Sequence, residues 1–315
     1  MIWIVIAVIL LLLIGGLVPM LIKTVPIAKR VYNDTLVRNS PEKWGRVCSD
    51  TTNEEQVQMW NEGIIWAEDN AEFRKELTVE NDGLKLCGEY FDFGKDKCVV
   101  ILPGRCESLI YSYYFAKPYK DAGCNVLVID TRAHGNSEGK YNTIGYKESG
   151  DTLTWINYVE KSFGIHEFYI HAICIGTSTA MLLMTKDNCP ESVKCLVTEG
   201  CYSSFRETYK RHMIYDKRPL FPVLDLIMLN IRKHTGSKLT RNAPIRLVKK
   251  MKHPVLFLFG ELDAFSIPEK SKKIFEKCAS KKKKLIWFDK GAHSHLRINN
   301  TEKYDREIIE FLSEI

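Results

Sequence analysis

The first 22 residues, MIWIVIAVILLLLIGGLVPMLI, contain no Asp, Glu, Lys or Arg. Roughly 20 apolar residues cross about 30 Å of hydrocarbon as a helix, so this stretch is read as a transmembrane anchor. A cleavable leader fits less well, because no basic region precedes the run and no small-residue cleavage pattern follows it. Residues 23–54 read as a polar connector holding Pro26 and Pro41. Val57, Met59, Trp60, Ile64, Ile65 and Trp66 then give residues 55–75 an apolar helical face.

Beyond the turn signal Asn81-Asp82-Gly83, short apolar runs alternate with helical stretches. Buried strands are predicted at 97–104, 125–130, 168–173, 193–200, 254–260 and 283–289. Helices are predicted at 109–122, 144–163 and 175–186, from Pro268 and from Thr301. Continuous apolar strands separated by helices predict an α/β domain with a mostly parallel, doubly wound sheet covered on both faces. Between two of these strands, 201–250 is helix-like throughout, and an insertion of that length above a sheet is a candidate lid. The expected organisation is an anchor at 1–22, a basic connector and helix at 23–75, and one domain at 76–315. No internal repeat is found, and Lys281–Lys284 reads as a solvated loop.

Composition sharpens the picture. Of 315 residues, 45% are apolar and 27% charged, which excludes disordered, collagen-like and polytopic membrane chains. The net charge of +6 is unevenly placed: 23–46 carries +4, 201–250 carries +9, and the remainder is acidic. Lys23, Lys29, Arg30 and Arg38 follow the apolar run, placing the large domain on the cytoplasmic side of a single-pass cell-membrane anchor. Ten cysteines without framework spacing suit a reducing compartment. There is no C-x-x-C pair, so neither zinc nor a dithiol site is expected. The basic lid contains the apolar run 220–231, which either lies at an anionic membrane or roofs the pocket. No nucleic-acid motif accompanies the basic residues, and the oligomeric state is open.

Four patterns fall after predicted strands: ILPGRCES around Gly104, DTRAHGNSEG at 130–139, HAICIGTSTA at 171–180, and FGELDAFSIP at 259–268 with KGAHSH at 290–295. Together they resemble the α/β-hydrolase superfamily over residues 76–315, in particular small-lid bacterial members close to prolyl-oligopeptidase-like and dienelactone-hydrolase-like enzymes, some of which are membrane-anchored. The resemblance implies an α/β-hydrolase fold with a helical lid. It makes Asp130, Arg132, His134, Gly135 and Ser137 a structural turn beside the site.

The family's nucleophile elbow, G-x-S-x-G, corresponds to Ala172-Ile173-Cys174-Ile175-Gly176. Alanine replaces the first glycine and cysteine replaces serine. A thiol at a helix N-terminus favours the thiolate, and beside a histidine Cys174 could attack an activated carbonyl. Ser178, in Gly176-Thr177-Ser178-Thr179-Ala180, is the competing nucleophile, but it would leave too short a helix. The resemblance places the base at His293, with His295 as the alternative, and the acid at Asp263, with Glu199 as the alternative. His171 and His134 have structural readings first. The oxyanion hole would use the N–H groups of Ile175 and Arg105; the Arg105 side chain either reads an anion or faces solvent.

The expected activity is hydrolysis of a carboxylic ester or thioester through an acyl-cysteine, without metal or organic cofactor, on a small-molecule or lipid-like acyl substrate. The alternatives are a lipid-directed hydrolase or acyltransferase at the bilayer, and a catalytically silent binding protein in which Cys174 is a buried, inert thiol.

Overall fold

A computed structural model describes residues 1–315, the side chains of residues 7–10 and 12–14 excepted. The apolar runs form β3 (Lys97–Leu102), β4 (Asn125–Ile129), β5 (Glu167–Ile173), β6 (Val193–Glu199), β7 (Val255–Gly260) and β8 (Lys283–Phe288). Ahead of them, β1 (Arg74–Asn81) and β2 (Leu84–Phe91) make a hairpin over the Asn81-Asp82-Gly83 turn. The eight strands form one sheet ordered β1-β2-β4-β3-β5-β6-β7-β8. β2 runs antiparallel to β1 and β4, and the remaining pairs are parallel.

Alternation along β3 shows why both faces must be covered. Cys98, Val100 and Leu102 face one core, with Trp155, Ile156 and Val159 of α5 (Glu148–Phe163) and the buried side of α6 (Gly176–Met184). Val99 and Ile101 face the other, with residues of α2 (Glu54–Asp69), α4 (Lys117–Asp121) and α12 (Thr301–Ser313). The single helix expected at 109–122 is two short helices, α3 (Leu109–Tyr113) and α4, with Pro118 in the first turn of the second. α10 (Pro268–Lys277) joins β7 to β8, and α11 (Leu296–Asn299) precedes α12.

The largest correction lies at the N-terminus. α1 runs from Ile2 to Leu36, through Pro19 and Pro26, so residues 23–36 are helix rather than connector. The insertion between β6 and β7 forms α7 (Phe205–Tyr215), α8 (Val223–Thr235) and α9 (Pro244–Leu247). Val223, Leu224, Ile227 and Ile231 of α8 bury against Ala28, Tyr32 and Leu36 of α1. The apolar face of the lid helix therefore meets α1, and the cap is built jointly by the two segments. His234 is stacked between Tyr32 and Tyr141, with ring centroids 5.6 and 5.3 Å away. The membrane span expected at 1–22 includes the undescribed side chains; among the described residues no helix is long and apolar enough to cross a membrane.

From Val37 the chain straps across the domain. Val37 bridges Tyr141, and Arg38 donates to the carbonyls of Pro41, Gly135 and Ser137. Trp44 stacks on His134 at 4.6 Å, and Arg46 pairs with Asp130 and Glu89, each at 3.0 Å. The turn after β4 is a structural hub. Asp130 is fully buried and accepts from the N–H groups of Leu109 and Asn136, while Arg132 grips Asp151 at 2.6 and 2.7 Å.

Gly135 has φ +51, and a Cβ there would sit 2.1 Å from the Asp130 carboxyl. Gly135→Ala is therefore expected to lower unfolding free energy by about 3 kcal/mol or more, through backbone strain and a displaced buried carboxylate. Chemical denaturation checks this; an unchanged midpoint would mean that the turn relaxes without cost.

Candidate active site

β5 ends at Ile173 and α6 begins at Gly176, so the chain must reverse within two residues. Cys174 occupies that corner with φ +50, a strained conformation for a residue carrying a Cβ. Its N–H donates to the Glu199 carbonyl at 2.9 Å, which ties the corner to β6. Gly176 is dictated by crowding: a Cβ there would lie 2.5 Å from the Leu102 carbonyl oxygen. Cys174 itself is half-buried and lines a cavity of about 320 Å³.

The loops after β7 and β8 bring Asp263 and His293 to the same place. His293 Nδ1 donates to Asp263 Oδ2 at 2.7 Å. Asp263 Oδ1 accepts from the N–H groups of Phe265 and Ser266 at 2.8 and 2.6 Å, so the carboxylate is held from both sides. His293 Nε2 is buried without a hydrogen-bond partner, and it shares the cavity with the thiol. The two couple by charge, although no bond between them meets hydrogen-bond geometry.

Electrostatics follow from this arrangement. Burial raises the Cys174 pKa, but the His293 charge and the nearby Arg105 guanidinium outweigh it and lower the thiol below its ordinary 9.0. Burial alone would lower His293; Asp263 and Cys174 reverse that and hold the imidazole well above its ordinary 6.5. Burial works against the Asp263 carboxylate too, yet His293 and the two backbone donors keep its pKa below the usual value. Both shifts act in the direction of a thiolate–imidazolium pair.

The alternatives sit elsewhere. Ser178 lies in the interior of α6, buried and bonded to the Tyr202 hydroxyl. His295 lines the cavity, but its Nδ1 donates to the His293 carbonyl at 2.8 Å rather than to a carboxylate. Glu199 accepts from Leu296 N–H at 3.1 Å and from Tyr304 hydroxyl at 2.6 Å, and so braces the segment that follows His293. His171 is enclosed by Tyr119, Tyr304 and Phe115, and burial lowers its pKa to about 3. His134 lies under Trp44, with its pKa lowered to about 4, again chiefly by burial.

The N–H groups of Ile175 and Arg105 make no hydrogen bond among the described residues and remain available as donors. The Arg105 side chain neither faces bulk solvent nor stands free: Nη1 donates to the Thr35 carbonyl of α1 and to Cys106 Sγ, both at 3.2 Å. Sequence reasoning missed the rest of the wall. Ser49, Asp50, Asn53 and Gln56 come from the strap and α2, His212 from the lid, Glu107 from the loop after β3 and Tyr111 from α3. Backbone strain gathers at the same place: Cys106, Cys174 and Ser294, with φ of 74°, 50° and 62°, line this cavity. Among the described residues no cluster of His, Cys, Asp and Glu is placed to hold a metal ion.

A parallel sheet with an antiparallel second strand, a strained corner after β5, and an acid and a histidine after β7 and β8 together define the architecture. A family model described as alpha/beta hydrolase fold matches residues 97–210. A Pyrococcus furiosus esterase superposes with a TM-score of 0.66 at 22% identity, over 79% of this chain and 93% of that one. The chain has the α/β-hydrolase fold.

The uncharacterized protein YqkD of Bacillus subtilis (strain 168) is 24% identical over 216 residues, covering 68% of this chain and 70% of YqkD. An uncharacterized membrane protein of Saccharomyces cerevisiae is 23% identical over 178 residues, covering 56% of this chain and 57% of that protein. The chain thus spans little more than half the length of the yeast relative.

Proposed function

We propose that this protein is a hydrolase that cleaves a small carboxylic ester or thioester through an acyl-cysteine on Cys174, with His293 as base and Asp263 as the acid that orients it. The observation that carries the reading is the strained Cys174 corner, whose thiol shares a cavity with the unpartnered Nε2 of a histidine locked to Asp263. Cys174 Sγ, as the thiolate, attacks the acyl carbonyl, and the developing oxyanion is met by the N–H groups of Ile175 and Arg105. Collapse breaks the bond to the leaving alcohol or thiol, which takes its proton from the His293 imidazolium. His293 then removes a proton from water, the hydroxide adds to the thioester, and the free acid leaves as the thiolate is restored.

Substrate size follows from the cavity. About 320 Å³ is at the small end for ligand sites, and Ser49, Asp50, Asn53, Gln56, Arg105 and Glu107 bring polar groups to a wall whose remaining surface is mainly apolar. This favours a compact polar acyl group over a long alkyl chain, and ranks the lipid-directed reading second. On p-nitrophenyl esters, kcat/KM is expected to fall by roughly tenfold or more between acetate and octanoate, since a cavity of about 320 Å³ leaves little room for the added methylenes. Equal or rising values with chain length would favour the lipid-directed alternative.

Membrane contact is part of the same proposal. Ile2, Trp3, Ile4, Leu11 and Ile22 are exposed on α1, the next basic residues are Lys23, Lys29 and Arg30, and one relative is named as a membrane protein. An apolar segment followed by basic residues fits attachment to an anionic membrane, with the catalytic domain on the cytoplasmic side.

A further inference from the structure

Glu107 lies beside the nucleophile and is not used by the chemistry above. A Cβ placed on Gly104 would be 3.7 Å from Cys174 Cβ and 3.9 Å from Glu107 Cγ, so both side chains stand within van der Waals reach of one point. Glu107 is 9% exposed and lines the cavity. One of its oxygens is engaged: Oε1 accepts from Ser49 Oγ at 2.5 Å and from Gln56 Nε2 at 3.1 Å. The other, Oε2, is buried without a partner. A buried polar atom left unsatisfied is unfavourable, and a hydrogen-bonding group of a bound ligand would remove that penalty.

We propose that Glu107 reads the substrate: its free Oε2 hydrogen-bonds a polar, uncharged group of the molecule held over Cys174. The cavity then takes small neutral esters or thioesters bearing a hydroxyl, amide or carbonyl group, and turns away carboxylates once Glu107 is ionised. Burial lifts the Glu107 carboxyl from 4.5 to about 7, against the opposing pull of Ser49, Gln56 and Arg105. Below that value Oε2 can donate; above it, the carboxylate accepts from the substrate and repels anions.

The charged and titratable groups around it are Asp50 and Cys48 of the strap, Arg105 and Cys106 of its own loop, and Tyr111 of α3. Across the cavity stand Cys174, His293, His295 and His212, the last with a pKa lowered to about 3 chiefly by burial and therefore neutral throughout. Arg105 is a fixed cation here, its Nη1 tied to Thr35 and Cys106, and the Lys43 ammonium of the strap couples by charge to Cys106 as well.

The inference rests on Cys174 being the reactive thiol, so the test reads two cavity cysteines. The full chain is alkylated with iodoacetate or iodoacetamide across a pH range, and each site is quantified by peptide mass spectrometry. The ratio of the two rates cancels the thiolate fraction and reports the charge of the cavity. In wild type, the iodoacetate to iodoacetamide ratio at Cys174 is expected to fall roughly tenfold between about pH 6 and pH 8. In Glu107→Gln, which keeps an acceptor for Ser49 and Gln56, the ratio is expected to stay nearly flat. His293 is present in both proteins, so its titration does not account for the difference. Ser49→Ala removes a donor that favours the carboxylate and should move the transition to higher pH, a shift that a purely structural Glu107 would not give. A fall of equal size in wild type and Glu107→Gln, or no fall in wild type, overturns the proposal. The ratio at Cys106, in the same cavity, decides it even if Cys174 proves unreactive, and that result would overturn the acyl-cysteine mechanism alone.

Discussion

Replacing Cys174 by alanine is expected to lower kcat/KM on a short ester by about 10⁴-fold or more, with little change in folding stability. The side chain lost is one half-buried thiol, but it is the atom that forms the covalent bond. The same position accounts for selectivity among ten cysteines. Burial raises the pKa of Cys98, Cys124, Cys195 and Cys201, whereas His293 and Arg105 overcome burial at Cys174 and lower it. With limiting iodoacetamide, Cys174 is therefore expected to be alkylated ahead of these four, with a pH midpoint below 9.0. Cys174→Ser, which keeps the corner but replaces the thiol by a far less acidic hydroxyl, is expected to recover only part of the lost activity. Alkylation spread over the other cysteines, with Cys174 spared, would mean that the corner thiol is inert.

Asp263→Asn is the second large effect, expected to cost about 10³-fold in kcat/KM. Asparagine can take the place of the carboxylate but not its charge, and that charge opposes burial to hold His293 above its ordinary 6.5. The sign of the pH dependence follows. In wild type, activity rises as Cys174 ionises at its lowered pKa and persists until His293 loses its proton at its raised one. Without Asp263 the imidazolium is lost at lower pH, so the alkaline limb moves down while the acid limb moves up as the thiolate loses its partner. A pH–rate profile that keeps its width in Asp263→Asn would remove Asp263 from the role assigned to it.

The strands and most helices were legible because burial on both faces of a parallel sheet forces continuous apolar runs such as Cys98–Leu102 and Val126–Ile129. β1 and β2 were not: Arg74, Lys75, Glu76 and Glu80 leave few apolar positions on the exposed edge strand, and Lys85, Gly88 and Glu89 interrupt the apolar run of its neighbour. Cys174, His293 and Asp263 could be named because each sits just after a strand, where the fold concentrates chemistry. The strap and α1 could not be placed: nothing local in 23–36 says that Ala28, Tyr32 and Leu36 will pack on α8. The wall residues Ser49, Gln56 and His212 have no shared sequence signal either, because the region at 49–56 and the lid, distant in sequence, converge only on folding. Glu107 was the nearest miss, two residues beyond Arg105 in a loop already singled out.

The central claim is a covalent acyl group on Cys174. The most direct test is to quench the protein in acid during turnover of a short thioester or p-nitrophenyl ester and weigh it intact. The expected result is an added acyl mass that maps to Cys174, is removed by neutral hydroxylamine, and is absent from Cys174→Ala. Turnover with an unmodified Cys174, or an acyl group mapping to another residue, would contradict it.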